Sequence, residues 1–285
     1  MDILVGTDWL AAHLDRVRVV DGSWHMPQLR RDPRAEFEQA HIPGAVFFDI
    51  DAIADHSTPL PHMLPDDAEF GRAVGALGIG DGDHVVAYDT RGVISAARVW
   101  WTLRVFGHDR VAVLDGGLPK WRAEGRPVER GPAKPLARPF AARRRPELVR
   151  DLAAMRANLR TAREQVLDAR SRGRFTAAEP EPRPGLRGGH IPGSLNLPYE
   201  TLYRPDGTVR GPDELRGAFT DAGLDLGRPV VTTCGSGVTA SVLALGLALV
   251  GRPDVAVYDG SWSEWGGQAD TPVATDAPPA GRRPT

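Results

Sequence analysis

Along the second half of the chain the spacing of hydrophobic positions switches between two periods. Residues 165–169 form a short β-prone run ending in Asp168-Ala169-Arg170, and residues 193–197 form another. Residues 212–223 have helical spacing, with acidic side chains near the start and glycine at the end. Residues 229–233 are β-branched and bounded by turn residues, the pattern of a buried strand. An apolar helix is predicted over 238–250 and a further strand over 255–258. Strands alternating with helices predict an α/β fold, a parallel sheet with helices on both faces. On such sheets ligands sit at the carboxyl ends of the strands.

The pattern occurs twice. His41-Ile42-Pro43-Gly44-Ala45 returns as His190-Ile191-Pro192-Gly193-Ser194, an offset of 149. Asp115-Gly116-Gly117 followed by Trp121 returns as Asp259-Gly260-Ser261 followed by Trp265, an offset of 144. Val85-Val86-Ala87-Tyr88-Asp89 aligns with Val230-Val231-Thr232-Thr233-Cys234, an offset of 145. Three matches in one order, near half the chain length, predict two homologous domains. Their expected bounds are 1–130 and 149–285, joined by a linker over 131–148 in which residues 131–146 hold four prolines.

Composition narrows the class. The 285 residues carry 35 Lys+Arg against 37 Asp+Glu, and 41% are hydrophobic. This is ordinary for a folded protein, and the near balance removes the electrostatic argument for nucleic acid or an anionic membrane as a partner. Of the 35 cations 33 are arginine and two are lysine (Lys120, Lys134), so an isolated arginine carries little information. Residues 229–251 are 23 uncharged residues, long enough to span a bilayer. The Cys-Gly-Ser-Gly turn in their middle would leave backbone groups unsatisfied in lipid, so they read as strand, turn and helix. Cys234 is the only cysteine. It can form no internal disulfide, no cysteine cluster can hold zinc, and a reducing, cytoplasmic compartment is expected. Met1-Asp2-Ile3-Leu4 lacks a basic segment followed by an apolar one, so no signal peptide is expected.

Candidate chemistry concentrates in Cys234-Gly235-Ser236-Gly237-Val238-Thr239-Ala240, between a buried strand and a helix. Consecutive backbone N–H groups can curl around one point there, and the helix N-terminus adds partial positive charge. A cysteine at the mouth of such a cradle has its thiolate stabilised, whereas the alternative is a buried cysteine filling space before a helix. A cysteine phosphatase would also need a phosphate-binding arginine at position 240, which is Ala, and residues 235–250 are uncharged. A cysteine protease would want an activating His and an Asn in another fold. Sulfur transfer needs a stable thiolate and a loop that stabilises a persulfide.

On this loop the sequence resembles the two-domain rhodanese-like sulfurtransferases, and within them the 3-mercaptopyruvate branch. Both His-Ile-Pro-Gly segments, Phe47-Phe48-Asp49-Ile50-Asp51, Pro61-His62-Met63-Leu64-Pro65 and Asp259-Gly260-Ser261-Trp262-Ser263-Glu264-Trp265 support it, over nearly the whole chain. The family's first domain lacks the cysteine; here that position is Asp89. Thiosulfate-specific members carry basic residues after the cysteine, suited to a dianion, whereas Gly235 and Ser236 are neutral and suit a monoanionic α-keto acid thiol.

The resemblance implies further residues. Arg174 in Gly-Arg-Phe and Arg183 in Glu-Pro-Arg match the arginines that hold the substrate carboxylate, with Arg170 and Arg187 the neighbouring alternatives. Gly235, Gly237, Val238 and Thr239 match the substrate-binding loop. Ser236, His62 and Asp51 match a set that moves protons during transfer, against the plainer readings of a loop histidine and a helix-capping aspartate. His41 and His190 read as structural, and Trp262 and Trp265 as core or pocket wall. The implied activity is transfer of sulfur from 3-mercaptopyruvate through a Cys234 persulfide to a thiol, thioredoxin or cyanide, with pyruvate released and no metal or organic cofactor. Thiosulfate sulfur transfer by the same fold is one alternative; a non-enzymatic sulfur- or anion-binding module is another.

Overall fold

The chain's β-branched runs are short, and each is followed by a helix that returns the chain to the start of the next strand. In the computed structural model, which describes residues 2–277, the first half runs β1 (Leu4–Val5), α1 (Thr7–Ala11), β2 (Arg18–Asp21), α2 (Pro33–Gln39), β3 (Val46–Phe47), α3 (Asp67–Ala76), β4 (Val85–Tyr88), α4 (Ser95–Val105), β5 (Val111–Leu114) and α5 (Gly117–Ala123). The second half repeats this with β6 (Val149–Arg150), α6 (Leu152–Thr161), β7 (Gln165–Asp168), α7 (Arg172–Phe175), β8 (Leu195–Asn196), α8 (Pro212–Asp221), β9 (Val230–Thr233), α9 (Val238–Leu249), β10 (Ala256–Tyr258) and α10 (Ser261–Trp265). Among the described residues the strands form two five-stranded sheets, ordered β1-β5-β4-β2-β3 and β6-β10-β9-β7-β8. Every pairing in both is parallel. The two orders are one topology, as the sequence repeat predicts.

The central strands of each sheet are buried on both faces, which is why β4, β5 and β10 are apolar without interruption. In the first, Val86, Tyr88, Ala112 and Leu114 pack with Leu10, Phe37, Leu118 and Trp121 from α1, α2 and α5. The alternate residues Val85, Ala87, Val111 and Val113 are equally buried, and α4 lies against β4 and β5. In the second, Val231, Ala256 and Tyr258 pack with Met155, Trp262 and Trp265, and α9 lies against β9 and β10. Apolar nearly all round, α9 has Val242, Leu243, Leu245 and Leu247 at 2% exposure or less. Each such side chain contributes ~1.5–3 kcal/mol on burial. Among the described residues no helix is long and apolar enough to cross a membrane. The paired histidines are structural: His41 Nδ1 lies 2.8 Å from the Phe37 carbonyl and His190 Nδ1 2.8 Å from the Phe175 carbonyl, each ring stacked on that phenylalanine.

The compact units are not the two contiguous stretches that the repeat suggests. Among the described residues, one unit comprises 2–56, Leu64–Arg145 and Arg204–Val209; the other comprises Ser57–Met63, Pro146–Tyr203 and 210–277. Much of the proline-rich stretch expected to act as a linker is packed onto the first unit. Arg138 N–H donates to the Gly75 carbonyl at 2.9 Å, and Arg143 N–H to the Phe106 carbonyl at 3.0 Å. Gly75 makes the close approach possible, since a β-carbon there would lie 2.4 Å from the Arg138 carbonyl oxygen. Proline spacing reports where a helix or strand stops; it does not report whether the extended segment has a surface to lie on.

The repeat diverges in charge where β2 and β7 end. Asp168, on β7, receives the Arg170 guanidinium, with Nη2 donating to Oδ2 at 2.6 Å. Asp21, on β2, has Ser23 where the arginine would be, and Oδ1 accepts from the Ser23 N–H at 2.9 Å. Burial pushes the Asp21 carboxyl up to about 6, hydrogen bonds from Ser23 and Tyr88 offsetting it only in part. A carboxyl raised in the folded state binds its proton more tightly than in the unfolded chain. Its stabilisation is therefore complete below the unfolded value of 3.8 and is lost as pH rises through about 6. Denaturant unfolding between pH 4.5 and 7.5, about the range where such a carboxyl titrates, is expected to show wild type losing on the order of 2 kcal/mol relative to Asp21→Asn. A constant difference across that range would refute the assignment.

Candidate active site

Strand β9 delivers Cys234 to the carboxyl edge of the second sheet, and α9 begins four residues later. Gly237 closes the turn at φ 81°, a conformation that favours glycine, so the chain can turn directly from the cysteine into the helix. The first N–H groups of α9 have no acceptor within the helix, and they face a turn that carries no carboxylate. Cys234 is 2% exposed. Val238 is buried at the start of α9 and Thr239 half-buried behind it.

The backbone of this turn is held from behind by α10. Trp262 N–H donates to the Cys234 carbonyl at 2.9 Å, and Ser263 N–H to the Gly235 carbonyl at 2.9 Å. Ser263 Oγ donates to the same Gly235 carbonyl at 2.7 Å, and Cys234 N–H donates to Ser261 Oγ at 3.2 Å.

Two of the four neighbouring arginines reach the front of the loop. A β-carbon on Gly235 would lie 3.1 Å from Arg174 Nη2 and 3.6 Å from Arg183 Nη1. Arg183 Nη2 donates to Ser236 Oγ at 3.2 Å and stands 3.5 Å from His62 Nε2. His62 belongs to the segment Ser57–Met63 of this same compact unit; it is buried and held at φ 64°, a conformation that costs a non-glycine residue free energy.

Glu181, whose side chain is 2% exposed, holds Arg174 in place. It accepts from Arg174 Nη2 at 2.6 Å and from Arg170 Nη1 at 2.7 Å. The buried side chains of Asp168, Arg170 and Glu181 and the half-buried Arg174 form a formally neutral chain, to which Arg183 adds one positive charge.

The other two arginines are consumed by structure. Arg170 is fully buried between Asp168, Glu181 and the Gly189 carbonyl, with its guanidinium 4.3 Å above the Trp262 ring. Arg187 donates to the backbone carbonyls of Trp265, Gly266 and Thr271 at 2.8–3.1 Å. Asp51 lies in the first unit, where its Oδ2 accepts from Trp24 Nε1 at 2.9 Å. The turn-capping role belongs to its neighbour Asp49, whose Oδ1 accepts from the N–H groups of Asp51 and Ala52 at 3.1 and 3.0 Å. Glu181, Ser261 and Ser263 touch the loop or its arginines and were not among the candidates. A signal for Ser261 existed in the repeat, where the matching residue is Gly117.

The first unit shows what the same turn does without a cysteine. Asp89 folds its carboxylate into its own loop, Oδ1 accepting from Arg91 N–H at 2.7 Å and Oδ2 from Ile94 and Ala96 N–H at 2.6 and 2.9 Å. That cradle is filled by the protein itself.

Comparisons with known proteins identify the family. The rhodanese-like domain family matches residues 7–124 and 151–268. The chain is 45% identical over 270 residues to human 3-mercaptopyruvate sulfurtransferase, covering 92% of this chain and 91% of that protein. It is also 45% identical over 271 residues to a thiosulfate sulfurtransferase of Rattus norvegicus, covering 92% and 91%. The crystal structure of the Escherichia coli 3-mercaptopyruvate sulfotransferase SseA superposes with a TM-score of 0.84 at 40% identity, covering 92% of this chain and 99% of that one. With both halves matched by the family and both sheets sharing one parallel topology, the chain belongs to the rhodanese-like family as a tandem of two rhodanese-like domains.

Proposed function

We propose that this chain is a sulfurtransferase that takes sulfur from 3-mercaptopyruvate through Cys234. The observation that carries the reading is a thiol at the carboxyl end of β9 with the guanidiniums of Arg174 and Arg183 against its loop. The Cys234 thiolate attacks the donor's sulfur and forms an S–S bond. The donor's C–S bond breaks, and its electron pair leaves on carbon as the enolate of pyruvate, which a proton converts to pyruvate. A thiol, thioredoxin or cyanide then attacks the outer sulfur, takes it, and restores the thiolate. Arg174 and Arg183 bind the donor carboxylate; Gly235, Gly237, Val238 and Thr239 line the sulfur's position with backbone N–H groups. Ser236 and His62 move the proton, a role their shared contact with Arg183 supports; Asp51 joins them on family resemblance alone. A reducing, cytoplasmic setting suits a nucleophilic thiol with no second cysteine to cap it.

The thiosulfate-named rat relative, equally similar, favours a second reading in which thiosulfate is the donor. Charge decides between them. The Asp168–Arg170–Glu181–Arg174 chain is formally neutral and Arg183 leaves one positive charge, matching one carboxylate better than a dianion. Steady-state rates on both donors test this, and wild type is expected to prefer 3-mercaptopyruvate. The double variant Gly235→Arg/Ser236→Lys is expected to move the ratio toward thiosulfate by about tenfold or more. Two cations are added, and removal of Ser236 costs Arg183 a charge-assisted hydrogen bond worth ~1.5–3 kcal/mol. An unchanged ratio would mean that loop charge does not set donor preference.

A further inference from the structure

Ser261 occupies a position that the fold wants as glycine. Its φ is 48°, and the residue aligned with it in the first half, Gly117, has φ 54°. Gly117 is forced: a β-carbon there would lie 2.4 Å from the Gly92 carbonyl oxygen and 2.5 Å from that of Asp89. The left-handed conformation costs a residue with a β-carbon free energy that glycine does not pay. Ser261 is nevertheless fully buried, at 0% exposure. Its hydroxyl donates to the Tyr258 carbonyl at 2.8 Å and accepts from the Cys234 N–H at 3.2 Å. The carbonyl side of the contact is common to both halves: Leu118 N–H donates to the Asp89 carbonyl at 3.0 Å, as Trp262 N–H does to Cys234 at 2.9 Å. The hydroxyl belongs to the half with the cysteine.

We infer that Ser261 is a positioning residue for the Cys234 nucleophile, kept in a strained backbone conformation because its hydroxyl fixes the peptide group that precedes the cysteine. With Cys234 N–H on Ser261 Oγ and Cys234 C=O on Trp262 N–H, both peptide planes flanking the cysteine α-carbon are set. The direction of the Cα–Cβ bond is then set too, and with it the place of the sulfur in the N–H cradle. This inference rests on the reading of Cys234 as nucleophile.

The test is Ser261→Gly, which removes the hydroxyl and relieves the strain, as Gly117 does in the first half. The expected variant is folded, with an unfolding midpoint close to wild type. Its kcat on 3-mercaptopyruvate and its rate of Cys234 alkylation by iodoacetamide are each expected to fall on the order of fivefold, the equivalent of one neutral hydrogen bond. KM is expected to stay near wild type, because neither Arg174 nor Arg183 touches Ser261. Ser261→Ala keeps the strain without the hydroxyl and should show the same kinetic loss with lower stability. Wild-type kcat and alkylation rate in folded Ser261→Gly would overturn the assignment. So would a Ser261→Gly chain that does not fold, because the serine would then be holding the fold instead of the cysteine. Cys234→Ser, run alongside, separates the two levels: retained transfer there removes the nucleophile reading itself, whereas a dead Cys234→Ser beside an unaltered Ser261→Gly overturns this assignment alone.

Discussion

Cys234→Ser is expected to fold normally and to lose sulfur transfer by about 10³-fold or more, the scale of removing a nucleophile. Serine is nearly isosteric with cysteine, and the position is bordered by backbone groups already paired with Ser261 and Trp262, so the turn has no reason to rearrange. The oxygen is a poor nucleophile at its ordinary protonation state, and no basic side chain activates it from within residues 235–250. It also cannot carry a sulfane sulfur through a cycle. Mass spectrometry after exposure to donor, with no acceptor present, should find one added sulfur atom on wild type and none on the variant. Substantial turnover by the serine variant would end the persulfide mechanism. The first unit cannot rescue it. Its equivalent turn presents a carboxylate, and that carboxylate already occupies the three N–H groups of Arg91, Ile94 and Ala96.

Arg183→Ala should raise KM for 3-mercaptopyruvate roughly tenfold to hundredfold, from the loss of a charge-assisted hydrogen bond of ~1.5–3 kcal/mol. A fall in kcat as well would show that the contact strengthens in the transition state, which is expected because Arg183 also touches Ser236 and His62. Arg174→Ala should raise KM similarly and in addition lower stability, since it leaves Glu181, 2% exposed, with Arg170 as its remaining ion-pair partner in the chain described above. The two variants thus differ in a way that kinetics and unfolding together resolve. Arg170→Ala is the contrasting case. It breaks a buried pair with Asp168 and Glu181 and should cost about 3–5 kcal/mol of stability. Wild-type kinetics in both Arg174→Ala and Arg183→Ala would remove the carboxylate assignment.

In the proposed site, donor preference is set by local electrostatics. Gly235 carries no side chain, and its absence lets Arg174 Nη2 approach the loop. A larger residue there has to displace a flexible guanidinium, so an arginine at 235 would alter both the charge and the placement of the existing pair. Family members that use different donors can therefore share nearly the same identity to this chain, as the human and rat proteins do.

What the sequence determined by itself was whatever depends on near neighbours. β9, its glycine turn and α9 are legible because β-branched runs, a left-handed glycine and helical spacing are local properties. The tandem architecture was legible because the same local pattern occurs twice, and Cys234 stood out as the one cysteine at the end of a strand. The tertiary structure decided which charges are available to chemistry. Arg170, Arg174, Arg183 and Arg187 look alike in a chain with 33 arginines. Family motifs single out Arg174 and Arg183, but the physical reason Arg170 and Arg187 differ from them appears only when Asp168, Glu181 and the carbonyls of Gly189, Trp265, Gly266 and Thr271 are brought to those two by folding. The same holds for residues 131–145, which spacing reads as a linker and packing turns into part of the first unit, and for Ser261, whose left-handed backbone is visible only in three dimensions. A buried ion pair, or a positive φ at a serine, is fixed by contacts between residues distant in sequence, and those contacts exist only once the sheet has brought its strands together.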